Sequence, residues 1–205
     1  MKQILAFGDS NTWGLVPGSH PQERYPWGVR WTSILQEKRK DVRVIEEGLC
    51  GRTTVFEDEL RPGRNGINSL PVILESHSPI DQVIIMLGTN DRKSFYNVSA
   101  NTIGKGIERC LDALEKYVKP ENILLISPMN LGDDVWRPEK DPEFDKKSVE
   151  TSRELKEVYR RIAGRKGVRF LAASDYVSPS DIDNEHMDID SHRVFAEIVS
   201  ENLSI

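Results

Sequence analysis

The chain has 205 residues, of which 38% are hydrophobic, 30% charged and 7% aromatic, a balance that excludes a disordered, fibrous or membrane-spanning protein. A chain this long buries about 70% of the surface it exposes when unfolded, so a single domain over residues 1–205 is expected, with a core that needs neither disulfide nor metal. Twenty-eight basic residues against 33 acidic ones leave a net charge of −5 and no dense basic block, which argues against a nucleic-acid partner.

In chain order, apolar runs and helical periods alternate from one end to the other. Residues 2–7 read as a strand, 29–40 as a short helix, 42–47 as a second strand, and 70–76 as a helix with Pro71 in its first turn. A third strand is expected at 82–87. Over residues 99–118 the helical period is clear: Ile103, Ile107, Cys110, Leu111, Leu114 and Val118 share one face behind a Ser99 N-cap. A fourth strand follows at 122–127. The helix predicted over 146–166 faces Val149, Leu155, Val158, Tyr159 and Ile162 one way and ends at Gly167. A fifth strand at 168–172 and a helix at 191–203 complete the series. The longest aliphatic runs, 83–87 and 123–126, fall well short of the roughly 20 apolar residues that cross a bilayer. Residues 4–7 are too short for the core of a secretion signal, so no membrane contact and a cytoplasmic location are expected. Cys50 and Cys110, without CxxC spacing, suit a reducing compartment.

Alternating strands and helices imply crossover units, hence an α/β fold: a five-stranded parallel sheet sandwiched between two helical layers. Ligands of such sheets bind beyond the carboxyl ends of the strands. Here those ends carry Gly8-Asp9-Ser10-Asn11, Gly48-Leu49-Cys50-Gly51-Arg52 and Gly88-Thr89-Asn90-Asp91, and the fifth strand leads to Asp183-Asn184-Glu185-His186. Two long connections, 48–69 and 128–145, are of the length that marks functional segments.

A serine on a tight strand-to-helix turn presents its oxygen outward, with helix-start N–H groups where an oxyanion would form. Ser10 occupies such a turn. It needs a base, normally a histidine held by a carboxylate, and of the four histidines (His20, His77, His186 and His192) only His186 has an aspartate, Asp183, three residues before it. The Ser10 and Gly51 N–H groups and the Asn90 amide could supply three donors to one developing negative charge.

Gly8-Asp9-Ser10, Gly51, Gly88-Thr89-Asn90-Asp91 and Asp183-Asn184-Glu185-His186, in this order and spacing, resemble the four successive blocks of the SGNH, or GDSL-type, hydrolase superfamily. The stretches 8–14, 44–54 and 84–91 resemble its bacterial arylesterase and acyltransferase branch. The resemblance covers nearly the whole chain. It implies a flavodoxin-like three-layer sandwich and a serine esterase acting on short-chain acyl or aryl esters, with transfer of the acyl group to alcohols as a side activity and no cofactor or metal. Ser10 would be the nucleophile, His186 the base, Asp183 its orienting acid, and Ser10, Gly51 and Asn90 the oxyanion hole. Many relatives carry glycine and an aliphatic residue where this chain has Asn184 and Glu185. The charge of Glu185 should raise the His186 pKa and move the activity optimum to the alkaline side, an idea that an ascending limb at or below pH 6 would contradict.

Asp9, Trp13, Cys50 and Thr89 are the candidate substrate-binding residues, with Trp13 as an aromatic wall and Leu49 and Cys50 as apolar lining for a small neutral ester. A carbohydrate O-acetylesterase is the alternative, for which Trp27, Trp31 or Trp136 would be the sugar platform. A non-catalytic flavin- or ligand-binding module shares the architecture, but the first loop carries Asp9 and Trp13 where a phosphate cradle needs Ser, Thr and Gly. Residues 181–192 lack the glycine and glutamate of a calcium loop, and His186 and His192 lack helical metal-ligand spacing. Cys50 has no histidine tied to it. The aromatic loops suggest a homo-oligomer.

Overall fold

The computed structural model describes residues 1–205. Five strands, β1 (Lys2–Gly8), β2 (Val42–Gly48), β3 (Gln82–Met86), β4 (Ile123–Ser127) and β5 (Arg169–Ala172), form one sheet in the order β2-β1-β3-β4-β5. Every pairing is parallel. This is the expected α/β sandwich in the flavodoxin-like strand order, and the order reverses between β1 and β3, where a crevice opens beyond the strand ends.

Five helices lie between the strands, α1 (Ser10–Trp13), α2 (Trp31–Lys38), α3 (Gly66–His77), α4 (Ala100–Leu114) and α5 (Lys146–Lys166), and a sixth, α6 (Ile189–Glu201), follows β5. Alternation along each strand divides the core between two faces. Leu5, Phe7, Val83, Ile85, Ile123 and Leu125 pack under α3, α4 and α5. Ile4, Ala6, Ile84, Met86, Leu124 and Ile126 pack under α2 and α6, where the Trp31 and Phe195 rings meet edge to face at 5.3 Å. Trp31 is therefore fully buried and cannot be a sugar platform. No helix is long and apolar enough to cross a membrane.

The helix caps follow the sequence. The Ser99 hydroxyl accepts the Thr102 N–H, and Gly167 ends α5 with φ 66°. The start of α3 does not: it lies four residues before the predicted one, leaving Pro71 in the helix interior. Tertiary hydrogen bonds account for this, because Gly66 N–H and Ile67 N–H donate to Thr53 O (3.1 Å) and Thr54 O (3.0 Å) of the preceding loop. Those acceptors satisfy helix-start donors that local propensity leaves open.

The one-turn helix α1 packs on the end of β2. A Cβ at Gly48 would overlap the backbone N and Cα of Trp13, so only glycine allows this close approach. Neither side of that contact is a flexible side chain. Gly48→Ala is expected to destabilise the protein by about 1–3 kcal/mol and to displace Ser10, with a lower urea midpoint at unchanged slope as the readout.

Candidate active site

Three strand ends and one late loop build the site. Beyond β1, Asp9 caps α1: its Oδ1 accepts the Asn11 N–H (3.0 Å) and its carbonyl accepts the N–H groups of Thr12 and Trp13. Ser10 thus begins the helix with its own N–H free of any protein acceptor. Beyond β2, Arg52 reaches back to donate to Gly8 O (2.9 Å) and Glu47 O, with its guanidinium 4.2 Å from the centre of the Phe7 ring. Beyond β3, the Asn90 amide donates to Arg52 O (3.1 Å), and both Asp91 carboxylate oxygens accept the Thr54 N–H (3.0 and 3.1 Å). Thr54 Oγ1 also bonds Asp91. These contacts lace the loop carrying Gly51 to β1, β2 and β3 at once. Gly51 itself has φ +83°, a left-handed conformation that a Cβ would strain, and its N–H has no protein acceptor.

The late loop brings Asp183 and His186 onto this platform. Asp183 Oδ1 accepts the N–H groups of Glu185 and His186 (both 3.0 Å), and Oδ2 accepts the Gly18 N–H (3.0 Å) and faces His186 Nδ1 at 2.8 Å. His186 Nε2 lies 2.8 Å from Ser10 Oγ. The join is made by Asn11, whose amide donates to Glu185 O (3.3 Å) and accepts the Met187 N–H (2.9 Å). Asn184 adopts φ +60°, which explains why glycine suits this position in relatives. Here the strain is offset by hydrogen bonds to Ser180 O and from Lys140 (2.6 Å).

Such a serine, imidazole and carboxylate in line can take a proton from the hydroxyl and hold it on the ring. Burial disfavours the imidazolium, but Glu185, whose Oε2 stands 3.7 Å from Nδ1, and the hydrogen-bonded Asp183 outweigh it and raise His186 to about 9. Burial acts on Asp183 as well, yet its bonds with His186 hold its carboxyl below the ordinary value. Glu185 is pushed up by burial, against the pull of His186. His192 cannot substitute as the base: burial lowers it to about 4, and its Nδ1 accepts the Trp31 N–H.

The structure brings Ser10, Asp183 and His186 together and sets Gly51 and Asn90 on the loops beside them. Of the candidate substrate contacts, Asp9 is 0% and Thr89 2% exposed: the first caps α1, and the second precedes the turn at Asn90–Arg92. Trp13 carries the Arg24 guanidinium 5.4 Å from its ring centre; Trp13, Cys50 and Ser10 itself all lie outside the lining of the cavity beside His186. The Cys50 thiol is pushed up to about 12 by burial and by Asp9 and Glu185, which keeps it protonated and non-nucleophilic. The cavity beside His186 is polar. About 200 Å³ in volume, it is lined by twelve residues, of which only Leu15 and Ile182 are hydrophobic. Asn11, Arg52 and Thr54 were not singled out by sequence reasoning, because each acts through contacts with distant loops. No three His, Cys, Asp or Glu side chains are gathered as a metal site requires.

Two outcomes follow from this geometry. Asn11→Ala leaves the buried Met187 N–H without its acceptor and should cost about 1–3 kcal/mol in urea unfolding. An NMR titration of the His186 ring should show a midpoint near 9, lowered by about one unit in Glu185→Gln once the neighbouring charge is gone; an unmoved midpoint would refute the role given to Glu185.

Comparison with known proteins identifies the family. The profile of the GDSL-like Lipase/Acylhydrolase family matches residues 6–193. A solved carbohydrate acetylesterase from Sinorhizobium meliloti is 33% identical with a TM-score of 0.90, the match covering 98% of this chain and 97% of that one. The native M. smegmatis aryl esterase is 34% identical with a TM-score of 0.89 and the same coverage. A lipase/acylhydrolase from Enterococcus faecalis, 19% identical with a TM-score of 0.69 over 98% of this chain and 94% of that one, shares the fold. Among curated proteins none matches significantly. The chain belongs to the GDSL-like lipase/acylhydrolase, or SGNH, family and is a carboxylic ester hydrolase.

Proposed function

We propose that this esterase works through a Ser10 acyl-enzyme on short-chain acyl or aryl esters. The observation that carries this reading is the unbroken line from Ser10 Oγ through His186 to Asp183, with 2.8 Å at each step. His186 takes the Ser10 proton as Oγ attacks the carbonyl carbon, then delivers it to the departing alkoxide. The carbonyl oxygen becomes an oxyanion among the Ser10 and Gly51 N–H groups and the Asn90 amide, whose other N–H is anchored on Arg52 O. Water attacks the acyl-enzyme by the same route in reverse, and an alcohol in its place gives acyl transfer. With His186 raised, kcat/KM rises toward pH 9, because the base works only when neutral.

Removal of acetyl groups from sugars is the second reading. The polar cavity beside His186 favours it, offering Ser19, Gln22 and Lys140 as hydrogen-bonding walls for a hydroxylated alcohol. Trp136, half-buried in the 128–145 connection, and Trp27, 55% exposed, remain as aromatic surfaces.

The test is release of p-nitrophenol from acetyl, butyryl and octanoyl esters by the wild type and by Ser10→Ala. The acetyl ester should be fastest, and Ser10→Ala should lose at least about 10³-fold in kcat. Wild-type rates in Ser10→Ala would remove Ser10 as the nucleophile.

A further inference from the structure

The alcohol half of an ester leaves on the side of the base, because the base must protonate it. On that side the structure places the cavity floored by Asp183, Glu185 and His186, so its lining decides which alcohols are accepted. The charges of the lining are lopsided. Glu139, Asp141 and Glu185 are all in the lining; Asp183 is occupied by His186. Lys140 is the one Lys or Arg in the lining, and its ammonium is bound to Asn184 Oδ1 (2.6 Å) and Asp181 O (3.0 Å).

Glu185 is the telling residue. It is 5% exposed, its carboxyl accepts no hydrogen bond from the protein, and its closest cationic group, His186 Nδ1 at 3.7 Å, is beyond hydrogen-bond distance. A carboxylate this little exposed and without a protein donor is costly, and the cost falls when a positive group from outside supplies the missing partner. Once His186 is neutral and ready to act as base, the only positive groups that act on Glu185, Lys93 and Arg92, do so from beyond ion-pair distance.

We propose that the cavity beside His186 selects esters of cationic alcohols, with the Glu185 carboxylate as the group that binds the ammonium and Glu139 and Asp141 adding attraction at the rim. The inference rests on the reading of Ser10 and His186 as nucleophile and base. The chemistry is hydrolysis throughout: the bond from Ser10 Oγ to the acyl carbon forms, the bond to the alcohol oxygen breaks, and the Ser10 proton passes through His186 to that oxygen. Water then releases the acid, and the ammonium group is unchanged.

The test compares kcat/KM for acetylcholine, which carries a fixed charge, with that for its neutral isostere 3,3-dimethylbutyl acetate, at one alkaline pH and at low and high salt. The wild type should prefer the cation by about tenfold or more at low salt, with the preference shrinking as salt screens the rim. Glu185→Gln should bring the ratio close to one, and Glu139→Gln should lower it by about two- to threefold. The ratio is taken within each variant, so any change in the strength of His186 as a base cancels. Equal kcat/KM for the two esters in the wild type, or a ratio unchanged in Glu185→Gln, would overturn cation recognition while leaving the esterase reading intact. Undiminished hydrolysis of both esters by Ser10→Ala would overturn the reading of the site itself, and cation recognition with it.

Discussion

Ser10 and His186 lie 176 residues apart in the chain yet 2.8 Å apart in space, and holding them there is the constraint on which the site depends. Ser10 is fixed by β1 and the Asp9 cap, His186 by a loop just before α6. Their separate supports would leave the distance between them to chance. Asn11 removes that freedom by gripping the backbone on both sides of His186 with one side-chain amide. The grip is buried and lies one residue to either side of His186, so it acts where a displacement of a fraction of an ångström matters most. The parallel sheet supplies the rest of the geometry: crossover connections send β1, β2 and β3 in one direction, and their loops emerge on a common rim.

The rim is held by charge as much as by shape. Arg52 ties β1 to β2 through two carbonyls, Asn90 ties β3 to Arg52, and buried Asp91 ties the same loop through Thr54. Burial raises Asp91 to about 6, against the hydrogen bonds from Thr54 that stabilise its charged form. Glu185 and Asp9 are raised by burial in the same way. These three acids give up solvation on the loops that build the site, while the fold's ordinary stability resides in the two apolar layers. Sites that work by preorganised polar groups carry such local penalties.

The five strands and the parallel α/β sandwich were readable from the alternation of apolar runs with helical periods; the strand order was visible only with the backbone. Ser10 was readable because it lies just beyond β1, whereas Asp183 and His186, on the loop before α6, were readable from the three-residue spacing of an aspartate and a histidine. Other features required the third dimension. Trp13 and Cys50 adjoin the blocks in sequence, but the cavity beside His186 is walled by residues 15–22 and 139–141 from two separate connections, whose meeting no local pattern announces. Pro71 was a poor guide to the start of α3, since hydrogen bonds to Thr53 and Thr54 compensated a local preference. Asn184 was visible as a departure from glycine, but its left-handed φ, the reason for glycine there, became visible only with the backbone.

The strand order has one more consequence, for encounters between molecules. An open parallel sheet leaves β2 and β5 with one unpaired edge each, and such edges are templates on which another chain can add a strand. Here β2 exposes Arg43 and carries Glu46 and Glu47, with Glu46 engaged by Arg24 and Arg30. The other edge, β5, is only four residues long and begins with Arg169, and Arg160 lies over its Phe170. A docking strand would have to desolvate these charges for few backbone bonds in return. The sheet can therefore stay open on both sides without inviting aggregation through its edges.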